Sequence, residues 1–270
     1  MREIHRVSGV YPSLAGEFGN IQSFPDDLMK IFGYSDQNGA PLVKYWFEPH
    51  SRYLGPGVEG EGQGWFDASS GNVFNRAGPG ALNQTASINN KPTIRGVGFS
   101  LVPASGSAPV PADALSAFFV VKNTAGMGTN RYLLGDTLGS TLNSISTYLT
   151  PTAFSTYLGR GNNGAPVGHS ANDYLDDSPK LLAVTFSSIK GVTLRRNGVQ
   201  VLSAPTRTDV NPPGKDLILF GSASTAGRWS GDVGHCFVLP GVDASEPGYG
   251  SVLEDIENFL LGHYGLSRGA

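Results

Sequence analysis

The sequence has little cysteine and little charge. Its 270 residues include one cysteine, Cys236, and 15% charged residues, with a formal net charge of -3 at pH 7. A single cysteine excludes an intrachain disulfide framework. The low charge leaves no basic stripe that could neutralise phosphates and no polybasic cluster, so neither nucleic acid nor a membrane surface is an expected partner.

Long apolar runs are also missing. No stretch approaches the roughly 18 consecutive apolar residues of a membrane-spanning helix. The N-terminal stretch MREIHRVSGVYPSLAGEFG carries charges and lacks the apolar core of a signal peptide. We therefore expect a protein that is made in the cytoplasm without signal-peptide export and is not anchored in a membrane.

Glycine and proline are abundant, with 37 and 18 residues, which is typical of many short elements joined by tight turns. From about residue 61, runs of about 5 to 9 residues bounded by Gly, Pro, Asn or Asp have the pattern of β-strands. Asn197-Gly198 is the dipeptide of a type I′ hairpin turn between two such runs. The pattern predicts an all-β fold, a two-sheet antiparallel jelly-roll sandwich. The runs are GWFDASSGNVF, TIRGVGFSLV, LSAFFVVKN, NRYLLGD, KLLAVTFSS, VTLRRNGVQVLSA, DLILFGS and GDVGHCFVLPG.

The C-terminal segment changes to a helical pattern. Apolar residues recur with helical spacing at Val252, Ile256, Phe259 and Leu260. Ser251 precedes Glu254 at capping-box distance, and Gly262 or Gly265 can end the helix. We expect this amphipathic helix to lie against the sandwich.

Residues 1–60 show no clean periodicity and are predicted to form an irregular N-terminal arm, separate from a sandwich domain at residues 61–270. The stretch PDDLMKIFG predicts one short helix, with acidic residues in its first turn and glycine after its last apolar residue. An aromatic stretch in the arm is predicted to dock on neighbouring molecules: Tyr45, Trp46, Phe47 and Tyr53.

These parts, in this order, resemble the concanavalin A-like lectin/glucanase superfamily, in particular the LamG-like (laminin G-like) domains of bacteria and phages. The motifs that carry the resemblance span residues 64–266: WFDASSG, NNKPTIRG, AFFVVKN, LRRNGVQV, SGDVGHCFVLPG and IENFLLGHYGL. The resemblance implies the jelly-roll fold with a closing helix. It does not fix the function, because the superfamily includes lectins, glycoside hydrolases, adhesion modules and virion parts.

An enzymatic function is not expected. Retaining glycosidases need two carboxylates about 5 Å apart, and in this fold they lie on one strand in an E-x-D-x-E pattern. No strand of this sequence has that pattern. Glu59 and Glu61 lie among glycines without an apolar partner face, and an acidic surface turn explains them. We expect no catalytic residues and no organic cofactor.

Metal binding is possible in principle, because lectins of this superfamily often hold Ca²⁺ through loop oxygens. The candidate donors are Asp173, Asp176 and Asp177 in NDYLDDSP. Asn162, Asn163 and Asn172 are close in sequence. An unliganded surface loop has the same composition. Zinc is disfavoured, because His169 has no second histidine or cysteine at ligand spacing.

Glycan binding would use an exposed aromatic ring as a stacking platform, with amide, acid or arginine side chains around it. The candidates lie in or next to predicted loops, and the competing interpretation is that each of them covers the rim of the core or an interface. They are Tyr148, Tyr157, Tyr174, Arg228 and Trp229.

The stretch RWSGDVGHCFVLPG places an aspartate, a histidine and the only cysteine within five residues. Side chains alternate along a strand, so His235 and Cys236 face opposite sides and cannot act as a nucleophile-base pair. Asp232 is expected to fix a turn or the strand end, His235 to be a half-buried and satisfied histidine, and Cys236 to be a small buried residue.

Three functions remain open. The first is a non-enzymatic structural or surface component of a phage virion, bound to other virion proteins or to itself as a homo-oligomer. The second is a carbohydrate-binding, host-recognition module for a cell-surface glycan. The third is a glycoside hydrolase with an atypical site, which the missing acidic strand disfavours.

Overall fold

A computed structural model describes residues 5–6, 26–56, 63–103, 106–124, 130–136, 145–158, 165–206, 215–221 and 227–269. These residues form two large antiparallel β-sheets, a separate two-stranded sheet and two α-helices. The first nine strands are β1 (His5–Arg6), β2 (Tyr34–Ser35), β3 (Tyr45–Phe47), β4 (Leu54–Pro56), β5 (Gln63–Phe66), β6 (Val73–Ala77), β7 (Asn83–Ile88), β8 (Lys91–Pro103) and β9 (Ala114–Asn123). The others are β10 (Arg131–Asp136), β11 (Thr147–Thr150), β12 (Ala153–Thr156), β13 (Val167–Ser170), β14 (Lys180–Ser187), β15 (Gly191–Arg196), β16 (Val199–Ala204), β17 (Leu217–Leu219) and β18 (Trp229–Pro240). The helices are α1 (Asp26–Phe32) and α2 (Gly250–Tyr264).

The long strand β8 connects the two sheets. Its N-terminal half pairs with β7 and β18 in sheet I, whose order continues β18-β9-β14-β15-β16. Its C-terminal half pairs with β6 and β17 in sheet II, which runs β4-β5-β6-β8-β17-β10-β11-β12-β13. The central strand β14 is buried along its whole length. The predicted all-β sandwich is confirmed.

The predicted hairpin at Asn197-Gly198 is also confirmed. Strands β15 and β16 pair on either side of it, and both turn residues have positive φ, 46° and 74°. Positive φ at both central positions is the requirement of a type I′ turn, and the Asn-Gly dipeptide tolerates it.

The C-terminal helix α2 packs on the outer face of sheet I, as the apolar spacing predicted. Glu257 of α2 is fully buried and receives two hydrogen bonds from Arg195 of β15. The helix ends at Gly265, which has a φ of 60° and donates its N–H to the carbonyl of Gly262. The predicted capping box at Ser251 is wrong: α2 begins at Gly250, directly after a 3-10 turn, without a side-chain cap.

The predicted N-terminal arm differs from the structure over residues 26–56, which belong to the sandwich. Strand β3 pairs with β18 in sheet I, and β4 pairs with β5 in sheet II. The reason is geometric: β8 begins at Lys91 and pairs with β18 only as far as Val233. The C-terminal half of β18 therefore needs another neighbour, and β3 takes that position. The short helix of PDDLMKIFG is present as α1 and packs against α2.

The aromatic residues proposed for assembly therefore lie in the core. Tyr45, Trp46, Phe47 and Tyr53 are all buried. The ring of Phe47 lies 4.9 Å from that of Phe74, between the sheets, and the ring of Trp46 lies 4.8 Å from that of Phe32 in α1. Because these rings are covered by the chain's own residues, they do not form a surface on which a neighbour could dock.

Within the described part of the chain, neither helix has the length and apolar character needed to cross a membrane.

Candidate functional site

Three tyrosine side chains lie next to one another on the outer face of sheet II. Tyr132 of β10 stands directly opposite Tyr148 of β11, and their ring centroids are 5.5 Å apart. The ring of Tyr157, just after β12, stacks on that of Tyr148 at 5.8 Å with an interplanar angle of 26°. All three rings are half-buried, so each keeps part of its surface for a ligand. We call Tyr132, Tyr148 and Tyr157 the tyrosine face.

Strand alternation places these rings outside the core. Thr147 and Leu149 flank Tyr148 in β11 and are completely buried between the sheets, so Tyr148 points to the opposite side. Ser155 of β12 is the cross-strand partner of Tyr148 and is also hydrogen-bonded to it.

The hydroxyl groups of Tyr132 and Tyr148 stay protonated at neutral pH. Burial raises the pKa of Tyr148 well above its ordinary value, and a hydrogen bond with Tyr157 adds to this. Burial and the neighbouring Tyr157 also raise the pKa of Tyr132. A neutral phenol donates one hydrogen bond and accepts others, so the face combines apolar ring surfaces with polar edges.

Gly227 packs against this face, and Arg228 follows it in the chain. The backbone N–H of Tyr132 donates to the carbonyl of Gly227 at 2.9 Å. A Cβ atom on Gly227 would lie 2.5 Å from two ring carbons of Tyr132, so only glycine fits there. The adjacent Arg228 is half-buried, and its Nε–H is buried without an acceptor among the described residues.

The structure thus brings together three of the five sequence candidates, Tyr148, Tyr157 and Arg228. The other two are in the interior. Trp229 is fully buried against Phe220. Tyr174 is 1% exposed, and its hydroxyl shares a 2.7 Å hydrogen bond with His169. Burial raises the pKa of Tyr174 to about 12. Neither side chain is available to stack on a glycan.

Tyr132 was missed from the sequence because it lies inside the predicted strand NRYLLGD and not in a loop. When both neighbours of a strand residue are large, the sequence does not show whether the side chain of that residue faces the core or the solvent. The signal that could have identified Tyr132 is the outward position of Tyr148 in the neighbouring strand. Using this signal requires knowing that the two strands pair.

Two of the three proposed calcium ligands are engaged in ion pairs. Asp173 accepts two hydrogen bonds from Arg196, which hold the pKa of its carboxyl below the ordinary value. Asp176 accepts a hydrogen bond from Lys180, whose side chain is buried. Asp177 is exposed. In the ranges that the structure describes, no group of three or more His, Cys, Asp or Glu side chains is arranged to hold a metal ion. Asn162 and Asn163 lie outside these ranges, and calcium binding stays a prediction.

In β18, the three polar residues serve the fold. Asp232 accepts two hydrogen bonds from Arg95, at 2.9 and 2.8 Å. His235 packs against α2, whereas Cys236 pairs with Phe47 on the interior side. Burial raises the pKa of the Cys236 thiol far above its ordinary value, so it does not act as a thiolate nucleophile.

Glu59 and Glu61 lie outside the described residues.

A concave region lies between the turn that follows β2 and the end of β18. This cleft has a volume of about 280 Å³, slightly below the roughly 300 to 1,000 Å³ of typical ligand pockets. Its only aromatic side chain, Tyr249, is buried. It therefore offers no exposed ring for stacking, and we place the candidate site on the tyrosine face. The cleft is lined by Ser35, Asp36, Gln37, Asn38, Pro41, Leu42, Lys44, Pro240, Gly241, Val242 and Tyr249.

Comparison with known proteins gives matches at the level of structure. No protein-family model matches the chain, and no curated protein sequence matches it. Domain 4 of AbnA, a GH43 extracellular arabinanase from Geobacillus stearothermophilus, was solved in complex with arabinotriose. It is 11% identical over 79% of this chain and 97% of its own length, with a TM-score of 0.55.

The binding domain of botulinum neurotoxin serotype G is 9% identical over 78% of this chain, with a TM-score of 0.51. The serotype D binding domain is 12% identical over 82%, with a TM-score of 0.52. The chain spans about half the length of these toxin domains, 50% and 51%. Similarity at this level of identity shows a shared β-sandwich fold.

Proposed function

We propose that this protein is a carbohydrate-binding module and that its tyrosine face holds the glycan. The observation that carries the proposal is the row of Tyr132, Tyr148 and Tyr157, with consecutive ring centroids 5.5 and 5.8 Å apart on one sheet face. Sugar rings have an apolar C–H face that stacks on aromatic side chains and a polar edge that takes hydrogen bonds. A row of partly exposed tyrosines offers both.

The fold supports this proposal. AbnA domain 4 has the same sandwich architecture and was solved with arabinotriose, so a sandwich of this type can present a surface to a short glycan. Fold alone does not define the ligand. The tyrosine face is what makes the proposal specific to this chain.

The proposed module acts by binding, without catalysis. Glycoside hydrolysis needs an acid and a second carboxylate on either side of the scissile bond. Among the described residues of the tyrosine face and its cross-strand neighbours, the polar groups are the phenols, Ser155 and Arg228. None of these is a carboxylate, so the face has the composition of a binding surface.

The test is a glycan array probed with the wild-type chain and with Tyr148→Ala. Losing the central ring is expected to weaken binding about fivefold to tenfold, the effect of one aromatic contact. Tyr174→Phe is the matched control, because Tyr174 is buried away from the face, and it should bind like the wild type. If wild type binds no glycan, or if Tyr148→Ala binds as well as wild type, the proposal fails.

A structural role in a phage virion remains a second, untested prediction. One of its supports in the sequence was the irregular N-terminal arm, whose aromatic stretch is buried in the core of the sandwich. Light scattering of the full-length chain at several concentrations tests the homo-oligomer part of this prediction. A monomer at all concentrations would exclude self-assembly as the basis of that role.

A further inference from the structure

The charge around the tyrosine face differs from that of the whole chain. The protein is acidic overall, with a net charge of -3, but Arg228, which follows the glycine that packs on the ring of Tyr132, is cationic. Guanidinium groups keep their charge at any physiological pH.

Arg228 has unused hydrogen-bonding capacity. Within the described ranges it forms no salt bridge, and its buried Nε–H has no acceptor. This contrasts with Arg95, Arg195 and Arg196, each of which forms a two-point contact with a carboxylate. A half-buried guanidinium without a carboxylate partner is suited to an anion supplied by a ligand.

The chain segments that adjoin these residues in sequence contain no acidic residue. Residues 125–129, 137–144, 159–164 and 222–226, which lie outside the described ranges, adjoin the described segments that carry the tyrosine face and Arg228 in the chain. Together they contain no aspartate and no glutamate. A guanidinium group donates several charged hydrogen bonds and accepts none, so it matches a negatively charged group on a ligand.

We infer that the tyrosine face selects glycans that carry carboxylate groups, such as uronic-acid or sialic-acid units, and that Arg228 pairs with the carboxylate. This inference rests on the glycan binding proposed above and names its ligand class. The rings of Tyr132, Tyr148 and Tyr157 hold the sugar, while Arg228 determines the preference for the acidic form.

The experiment compares paired glycans that differ only in charge. Oligogalacturonides are paired with their methyl esters, and sialylated glycans with their desialylated forms, all immobilised on one array. The acidic member of at least one pair is expected to bind about tenfold more tightly, as a charge-assisted hydrogen bond provides. This preference should weaken as salt is added.

Three variants test whether Arg228 determines the preference. Arg228→Gln should abolish the preference for the acidic member and keep the weaker binding of the neutral one. Lys190→Gln removes the same charge from an exposed turn of sheet I and should leave the preference intact. Arg228→Lys should keep part of it, because lysine retains the charge and loses the planar fork.

The outcomes separate the two proposals. If neutral and acidic members bind equally, or if Arg228→Gln retains the preference, the inference about carboxylates is overturned and glycan binding stands. If neither member of any pair binds, the proposed function itself fails. A preference lost equally in Lys190→Gln would indicate a general charge effect and would also overturn the role of Arg228.

Discussion

The indole Nε1–H of Trp46 donates a 2.9 Å hydrogen bond to Nδ1 of His235. Their rings lie nearly parallel, at an interplanar angle of 10°, with centroids 5.7 Å apart. An indole can only donate, so Nδ1 of His235 is the acceptor and the imidazole proton is on Nε2. This contact connects β3, which comes from the predicted arm, to β18 of sheet I.

His235 is expected to make the protein sensitive to acid. Burial, with a smaller contribution from His263, lowers the pKa of His235 well below its ordinary value of 6.5. The unfolded chain therefore binds a proton near pH 6.5 that the folded chain does not accept. The contribution to stability is complete above about pH 6.5 and is lost as the pH falls below that value.

Urea unfolding between pH 5 and pH 8 measures this effect. His235→Asn keeps an acceptor for Trp46 and removes the titration, so its free energy of unfolding should depend less on pH than that of wild type. Burial also lowers the pKa of His263, so some dependence remains in the variant. Identical pH profiles for the two proteins would contradict the prediction.

The buried ion pair of Glu257 and Arg195 is expected to anchor α2. Glu257 has no exposed surface, and its two oxygens accept hydrogen bonds at 2.6 and 2.9 Å. Glu257→Ala leaves a largely buried guanidinium without its partner, which should cost about 3 to 5 kcal/mol in the free energy of unfolding. Denaturant unfolding measures this loss.

Lys30→Ala is the control for that prediction. Lys30 of α1 pairs with Asp255 of α2 at 2.7 Å, but its side chain is 39% exposed. Solvent screens such a pair, and its loss should cost less than about 1 kcal/mol. Similar losses in both variants would show that burial of the Glu257 pair has no special effect.

Gly227→Ala is expected to disturb the tyrosine face without removing any of its side chains. Gly227 has a φ of 77°, and a Cβ atom there would collide with the ring of Tyr132. Gly71 has a φ of 75° with nothing within 4 Å of its Cβ position. Both alanine variants carry backbone strain of about 1 to 2 kcal/mol, but only Gly227→Ala should also lose glycan affinity. Array binding and urea unfolding are compared, and equal glycan binding by the two variants would argue against the face as the binding site.

The boundary predicted at residue 60 can be tested with a fragment of residues 61–270. The fragment lacks α1 and β3. It therefore loses the aromatic rings that cover β18 and the strand that pairs with the C-terminal half of β18. We expect it to unfold without a cooperative transition, because a large part of the core is missing. Circular dichroism during urea titration measures this, with the full-length chain as reference. A cooperative transition of the fragment at a similar urea concentration would support the predicted boundary between a separate arm and the sandwich.

The positions of many strands along the chain follow from the sequence, because buried strands between glycine, proline and asparagine turns are local patterns. The runs KLLAVTFSS and LSAFFVVKN correspond to β14 and β9, and the type I′ turn lies where Asn197-Gly198 places it. Short strands such as β12 and β13 were not predicted. Four residues of mixed polarity carry no clear period, and their pairing with each other is what makes them strands.

The sequence by itself determined the fold class, the hairpin and the closing helix, since each depends on residues close together in the chain. The tertiary structure decided which aromatic side chains are accessible. Trp229 and Tyr174 have the same loop-like context as Tyr148, yet they are buried, whereas strand pairing places Tyr132 beside Tyr148 on the outer face. Exposure and adjacency depend on which strands pair and which face is covered, and these are properties of the whole sandwich that no local pattern contains.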